Sequence, residues 1–143
     1  MKIEYKKNKN FYISLYKIKS KKKKKELYLI YFKEMKKLAL KGCLNSQFDL
    51  AQHYEKGGFF GEKNPYFNNF KRLYWYYKSA LNGYAESYNN LADIIERGDG
   101  CKLNLKKAFL FYSKAKDLGS ELGKENYLIM KKDFKKGGIY YAK

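Results

Sequence analysis

Residues 85–119 read AESYNNLADIIERGDGCKLNLKKAFLFYSKAKDLG, and this stretch decides the fold. Its first half carries apolar residues that return every three or four positions, as one buried face of an α-helix does: Ala85, Tyr88, Leu91, Ala92 and Ile95. Its second half repeats the period with Leu105, Ala108, Phe109, Phe111, Tyr112 and Ala115. Gly98 and Gly100 separate the halves and Gly119 closes the second, because glycine supplies the positive φ at which helices end. The stretch therefore predicts two helices joined as a hairpin.

The same two-helix unit occurs upstream with a longer loop. An offset of 41 residues aligns the first helices, with Leu50 on Leu91, and an offset of 36 aligns the second helices, with Tyr76 on Tyr112. The difference places five extra residues in the loop of the earlier unit. A two-helix unit cannot bury its apolar face alone, so neighbouring units must stack against each other.

The 85–119 unit closely resembles a Sel1-like repeat, a relative of the tetratricopeptide repeat. The matching residues are Ala85, Leu91, Ala92, Gly98, Gly100, Lys107, Ala108, Phe111, Tyr112, Lys114, Ala115 and Gly119. Ile95 and Cys101 depart from the family pattern, which has a tyrosine and a small aliphatic residue there, but both keep the position apolar. The resemblance covers roughly residues 28–134 and implies an all-α fold, a short right-handed α-solenoid of about five to seven stacked antiparallel helices. It also implies a concave groove that binds proteins.

Three regions are predicted along the chain. Residues 1–25 form a lysine-rich N-terminal arm or capping segment, residues 26–136 form the repeat domain, and residues 137–143 form a tail that starts where Gly137 and Gly138 end the last helix. Complete units span about 44–83 and 84–119, with partial units at both ends.

The N-terminal third is also predicted to be largely helical. Residues 1–19 hold apolar side chains that pack either as a degenerate capping helix or as an extended arm, and we favour the helix because a solenoid needs its end covered. The next helix spans residues 26–41. The helix after it is capped by Asn45 or Ser46 and runs to about Lys56.

Positive charge dominates the chain and concentrates near its first residues. The 143 residues carry a net charge of +18, and the first 25 hold eleven lysines and one glutamate. Five lysines are consecutive: Lys21, Lys22, Lys23, Lys24 and Lys25. They form either a solvated loop, because adjacent like charges repel, or the first turn of the next helix. Such a surface attracts acidic proteins, nucleic acid or anionic lipid without choosing among them, and the bias is either selected or a product of AT-rich codons.

The enlarged loop of the earlier unit is the most individual feature of the sequence. Residues 57–69 read GGFFGEKNPYFNN and include four aromatic side chains: Phe59, Phe60, Tyr66 and Phe67. Loops rarely expose such surface, so the rings either fold back onto the repeat or meet a partner, and we favour folding back. Asn64 and Pro65 suit a helix start.

The repeat pattern leaves some polar residues of the first helices unclaimed by the core. By analogy with the repeat family, these residues are candidates to line a partner-binding groove: Gln47, Gln52, His53, Asn89 and Asp93. His53 has a second interpretation as a surface or packed residue, and we favour that interpretation over a metal ligand.

No catalytic or cofactor-binding arrangement is predicted. The only histidine, His53, has no cysteine or carboxylate at ligand spacing, and Asp93 with Glu96 is typical of solvated charge beside Arg97. Gly98 belongs to the repeat turn, since the spacing G-x-x-x-x-G-K-[ST] of a phosphate-binding loop is missing. We therefore expect no cofactor, no metal site and no enzyme activity.

The sequence also favours a reducing compartment. Cys43 and Cys101 lack the paired spacing of a disulfide within each repeat and predict two reduced thiols. Neither a secretory signal nor an 18-residue apolar stretch is visible. These features indicate a cytoplasmic protein, most simply a bacterial one.

The leading functional hypothesis is a non-catalytic protein–protein interaction module with an acidic partner. Small stand-alone Sel1-like proteins look like adaptors, regulators or immunity proteins that block a toxin, so the resemblance implies a role of that kind. The alternative is nucleic-acid or anionic-surface binding by the lysine-rich region, where four aromatic residues are interleaved: Tyr5, Phe11, Tyr12 and Tyr16.

Overall fold

A computed structural model describes residues 1–137, and that part of the chain is all-helical. Seven α-helices follow one another: α1 (Lys2–Ser14), α2 (Lys21–Leu40), α3 (Leu44–His53), α4 (Asn69–Leu81), α5 (Ala85–Arg97), α6 (Leu105–Asp117) and α7 (Glu121–Gly137). Consecutive helices pack in pairs, as in a helical-repeat protein. The predicted all-α class and helix number are confirmed for these residues.

The chain forms two compact units, Met1–Trp75 and Tyr76–Lys143, and the division falls inside α4. The first unit contains α1, α2, α3 and the start of α4. The second contains the end of α4 with α5, α6 and α7. None of the helices described in residues 1–137 has the length and apolar character that crossing a bilayer requires.

One glycine turn recurs at three junctions within residues 1–137 where the next helix follows at once. Gly42, Gly83 and Gly119 follow α2, α4 and α6 with φ of 97°, 96° and 99°. The N–H after each glycine donates to the carbonyl five residues earlier: Cys43 to Leu38 at 3.1 Å, Tyr84 to Ser79 at 3.1 Å and Ser120 to Ala115 at 2.9 Å. This bond is the hallmark of a Schellman helix end. The next helix begins two residues after the glycine each time. Gly98 after α5 has the same kind of bond, from the Asp99 N–H to the Ile94 carbonyl at 3.0 Å, but a longer link follows it.

The aligned apolar positions of the two predicted repeat units, about 44–83 and 84–119, are buried alike. Leu50 and Ala51 on α3 are fully buried, and so are Leu91 and Ala92 on α5. These pairs were predicted to correspond, so helical periodicity located the core of both units. The alternation of large and small side chains lets each helix pack closely on the next.

Small residues sit where consecutive helices of the second unit cross. Ser87 Oγ of α5 donates to Ser79 Oγ of α4 at 2.8 Å, and both side chains are fully buried. At the α6–α7 crossing, a Cβ built on Gly123 would lie only 2.6 Å from the Cβ of Ala115. Each pair lies four residues before and four after a turn glycine, so the turn and the close crossing recur together.

The lysine run is helical, and it starts α2 five residues earlier than the predicted boundary at residue 26. Ser20 caps this helix, since its hydroxyl accepts the Lys23 N–H at 3.3 Å. The first residues likewise form the helix α1, extended by a 3-10 turn at Leu15–Lys17. Residues 1–19 are therefore helical for most of their length, as favoured, rather than an extended arm.

The predicted start and end of the third helix are wrong. Cys43 occupies the N-cap position and α3 begins at Leu44, so neither Asn45 nor Ser46 caps it. The glycine turn sets this start, because it fixes the helix two residues after Gly42. The helix ends at His53 rather than Lys56.

Asn64 and Pro65 do not start a helix, because Asn64 holds the enlarged loop. Its Nδ2 donates to the carbonyls of His53 and Glu55, both at 2.7 Å, and its Oδ1 accepts the Tyr66 N–H at 2.9 Å. The side chain is buried, so these bonds satisfy an amide that would otherwise be costly to bury.

The fourth helix starts instead at Asn69, and Arg72 ties it to the chain after α3. The Asn68 side chain accepts the Lys71 N–H at 3.0 Å in the manner of an N-cap. Arg72 is buried and its guanidinium lies 2.7 Å from the Glu55 carboxylate. The last helix, α7, includes Gly137, and the predicted stop at Gly138 and the remaining tail lie outside the described residues.

We expect Gly83→Ala to lower the free energy of unfolding by about 1 kcal/mol, because an L-residue pays for a positive φ even where its Cβ meets no atom. Urea denaturation followed by tryptophan fluorescence measures the change. Gly57→Ala is the matched control, since Gly57 is equally open but has no positive φ. Equal effects of the two substitutions would contradict the assignment of strain to the turn.

Candidate functional site

Aromatic side chains from α1, α2, α3 and the enlarged loop form one cluster in the first unit. Its members are Tyr12, Tyr16, Tyr28, Tyr31, Phe32, His53, Phe59, Phe60 and Tyr66. Tyr28 and Tyr31 on α2 are its buried centre. The Tyr12 ring of α1 stacks on Tyr31 with centroids 4.5 Å apart, and the loop ring Tyr66 stacks on Tyr28 at 5.5 Å. The cluster therefore joins α1 and the loop to α2.

His53 lies inside this cluster, with both ring nitrogens bonded. The Tyr31 hydroxyl donates to Met35 Sδ at 3.4 Å, so it accepts from His53 Nε2–H at 3.0 Å. The Tyr28 hydroxyl then donates to Nδ1 at 3.2 Å. One neutral tautomer thus satisfies every group. The interpretation of His53 as a packed residue is confirmed.

Burial sets the protonation state of the cluster. Loss of solvent, with a smaller effect of the Lys9 charge, lowers the pKa of His53 to about 4. Burial likewise raises the pKa of the Tyr28 and Tyr31 hydroxyls far above the usual range. At neutral pH the imidazole is neutral and both hydroxyls keep their protons, as the hydrogen bonds require.

The loop folds back onto the cluster, as predicted. The Phe59 ring meets Tyr28 edge-on with centroids 4.9 Å apart, and Phe60 meets Tyr16 at 5.0 Å. Phe67 contributes less, since it remains 38% exposed and lies under the ammonium of Lys56 at 5.6 Å.

A tight turn holds Phe60 against the cluster and beside Lys24. Phe59 and Glu62 pair through two backbone hydrogen bonds of 3.2 and 2.9 Å. Between them Phe60 has φ of 50° and Gly61 has φ of 82°, the signs of a type I′ turn. A bulky residue rarely occupies such a position, because its Cβ crowds the backbone. Strain of this kind concentrates at functional sites.

The turn and the start of α2 enclose a pocket of about 300 Å³. Its walls combine four lysines with apolar rings and one carboxylate: Lys21, Lys24, Lys25, Lys63, Phe59, Phe60, Pro65 and Glu62. We call this feature the basic–aromatic pocket. It brings together the lysine run and the loop aromatics, which the sequence presented as separate candidates.

The pocket is strongly positive. Lys24 lies over the Phe60 ring with its ammonium 5.0 Å from the centroid. Lys21 reaches Glu62 at 3.2 Å, but both side chains are largely exposed, so the pair contributes little stability. No acidic residue lies in the first turn of α2, and the lysine charges add to the positive end of the helix dipole. Positive charge at this end of a helix costs local stability.

The remaining lysines of the run, Lys22 and Lys23, are exposed and do not line the pocket. Lys63 and Pro65, which do line it, were not singled out from the sequence. Their place in the same loop as Phe59 and Phe60 was the only signal, because the pocket forms between residues about forty positions apart.

Two predicted groove residues are buried inside the fold. Gln47 is 1% exposed and donates to the Ala39 carbonyl at 3.1 Å. Asn89 is 3% exposed and accepts from Asn126 at 2.9 Å. Neither side chain is presented to solvent, so the structure corrects their assignment as groove residues: both amides serve internal packing instead.

The other groove candidates lie apart from the basic–aromatic pocket. Gln52 is exposed, and His53 is enclosed by the aromatic cluster. Asp93 is half-exposed and pairs with Arg97 at 2.6 Å, as expected of solvated charge. The neighbouring Glu96 accepts the Tyr112 hydroxyl at 2.7 Å.

The N-terminal aromatics are mostly committed to packing. Tyr5 donates to the buried carboxylate of Asp49 at 2.8 Å, and Lys9 reaches the same oxygen at 3.1 Å. These contacts fasten α1 to α3. Tyr12 and Tyr16 both lie in the cluster, and Tyr16 is 56% exposed at its edge.

No protein-family model matches the chain, and no curated protein shows significant similarity to it. Within residues 1–137, no three His, Cys, Asp or Glu side chains lie together in a way that would hold a metal ion. Both thiols, Cys43 and Cys101, are free. We take the basic–aromatic pocket as the candidate site because it brings the lysine run and the loop aromatics together.

We expect stability to fall as the pH drops from about 6.5 to about 4, because the imidazole of the unfolded chain binds a proton in this range and the folded one does not. His53 contributes at most about 3 kcal/mol to that loss. His53→Gln keeps polar groups there but removes the titration. Urea denaturation at pH 7 and pH 4.5 should show a larger loss for the natural chain than for the variant. Equal losses would refute the buried neutral histidine.

Proposed function

We propose that this chain is a non-catalytic protein-interaction module, built from Sel1-like repeats, that binds an acidic protein partner through the basic–aromatic pocket. The single observation that carries the proposal is the meeting of the lysine run with the strained, ring-bearing turn. Two features that each cost stability converge on one 300 Å³ pocket.

The chemistry of the pocket favours an acidic side chain of the partner that is flanked by apolar residues. Lys24 and Lys25 offer ammonium donors, while Phe60 and Pro65 offer apolar contact next to them. A carboxylate that enters gains charge-assisted hydrogen bonds, and the rings beside it exclude water. The net charge of +18 would speed the encounter with such a partner.

The three glycine turns of equal geometry support the repeat assignment. Helical repeats commonly serve as binding surfaces, and we carry this over by fold-level analogy. The roles that fit a short basic chain are adaptor, regulator or immunity protein against a toxin. The two free thiols favour a reducing compartment, and we propose a bacterial cytoplasm.

A second candidate function is nucleic-acid binding at the same surface. One observation favours it: the half-exposed rings of Tyr16 and Phe60 lie 5.0 Å apart beside Lys24, where a base could stack. This candidate predicts a fall in log affinity with log salt of about 0.9 for each duplex phosphate neutralised.

The test is a charge reversal at the pocket with a matched reversal elsewhere. The pocket variant carries Lys21→Glu, Lys24→Glu and Lys25→Glu. The control carries Lys102→Glu, Lys124→Glu and Lys132→Glu, three exposed positions in the second unit, so both variants have the same net charge.

A tagged natural chain first captures its partner from the native host in the presence of nuclease, and association rates are then measured at about 50 mM salt. We expect the pocket variant to associate about tenfold more slowly or worse, and the control to change much less. Equal slowing would reduce the proposal to non-specific attraction. A capture that nuclease abolishes would favour the second candidate.

A further inference from the structure

A groove lies between α1 and α2 in the first unit. It has a volume of about 920 Å³ and is lined by residues 4–11 of α1 and 30–37 of α2. On each helix the lining residues are spaced i, i+3, i+4 and i+7, which is one face over two turns. We call this feature the α1–α2 groove.

The groove lining combines apolar and charged side chains. Its two apolar members, Phe11 and Ile30, are called its floor here, and Ile30 is 61% exposed. Its charged members are Lys7, Lys33 and Lys37 with two glutamates, a small basic excess. The surrounding unit is strongly positive, since residues 1–75 hold nineteen Lys or Arg and six Asp or Glu.

The inner face of α1 is occupied, whereas the groove face is open. Tyr5 and Lys9 reach Asp49 of α3, and Tyr12 stacks on Tyr31 of α2. Even so, α1 has no fully buried residue. Among the described residues of the first unit, none covers the groove.

A third helix packs against a helical hairpin in both units. In the second unit α7 packs against α5 and α6, as α3 packs against α2 and reaches α1 in the first unit. The Tyr127 ring of α7 stacks on Phe109 of α6 with centroids 5.0 Å apart, and Phe134 approaches the same ring at 4.4 Å. Helices of this chain thus dock on a hairpin through apolar and aromatic contacts.

We propose that the α1–α2 groove docks an amphipathic α-helix of the partner, with an apolar face on Phe11 and Ile30 and acidic residues along its flanks. The proposal rests on the proposed function, because it names the element of the acidic partner that binds. Two turns of groove match two to three turns of helix at about 1.5 Å per residue. A second copy is disfavoured as the occupant, since it would bring another +18 charge.

The test uses a synthetic 15-residue helical peptide with leucine on one face and glutamate elsewhere. Amide shifts of the full chain are followed by NMR at about 150 mM salt. We expect shifts in residues 4–11 and 30–37. Ile30→Glu should weaken binding about tenfold, while Leu81→Glu, at another highly exposed apolar position in the second unit, should not.

A scrambled peptide of the same composition separates docking from charge attraction, because it has no apolar face. Equal binding of both peptides, or no shifts in the groove, would overturn the inference. Lys33→Glu combined with Lys37→Glu provides a second variant that leaves the floor intact, and weaker binding by it supports the acidic flanks.

The failures of the two proposals are distinguishable. Shifts confined to residues 21–25 and 59–65 would overturn the groove but leave the basic–aromatic pocket as the acidic site. Peptide binding in the groove that survives the pocket variant, with an authentic partner equally indifferent to that variant, would support the groove and refute the pocket.

Discussion

The neutral imidazole of His53, bonded at both nitrogens, is the contact on which the first unit depends. It couples α3 to two tyrosines of α2, and those tyrosines in turn carry the stacked rings of α1 and of the loop. The loop turn that carries Phe60 therefore packs on a cluster whose histidine must stay buried and neutral. His53, a groove candidate from the sequence, instead supports the cluster on which the basic–aromatic pocket is built.

The sequence predicted what is local and periodic. Helical periodicity located Leu50 and Leu91 in the core, and the glycines marked helix ends, because both signals come from residues within a few turns. It did not predict that Asn64 would turn inward, since its three hydrogen bonds involve a fold-dependent loop path. The basic–aromatic pocket was not predicted for the same reason, because it forms between residues far apart in the sequence. Gln47 was misassigned because polarity alone does not reveal whether an amide finds partners inside.

The two compact units are both built from packed helices but differ in local packing and charge. The second unit has small residues at close helix crossings, such as Ser79 with Ser87, and its α7 packs against both α5 and α6. The first unit accepts a basic helix start, a strained turn and an open groove. The strained turn and the lysine-rich helix start both lie in the first unit, and the proposed function rests on their meeting there.

The absence of any fully buried residue on α1 has a consequence for the dynamics of the first unit. Polar contacts to Asp49 and the stacked ring of Tyr12 hold this helix, so its detachment costs less than opening a core helix. Detachment would dismantle one wall of the groove and wet the ring of Tyr31 at the same time. An occupant of the groove would hold α1 in place, so binding there would also slow proteolysis and hydrogen exchange along the N-terminal helix.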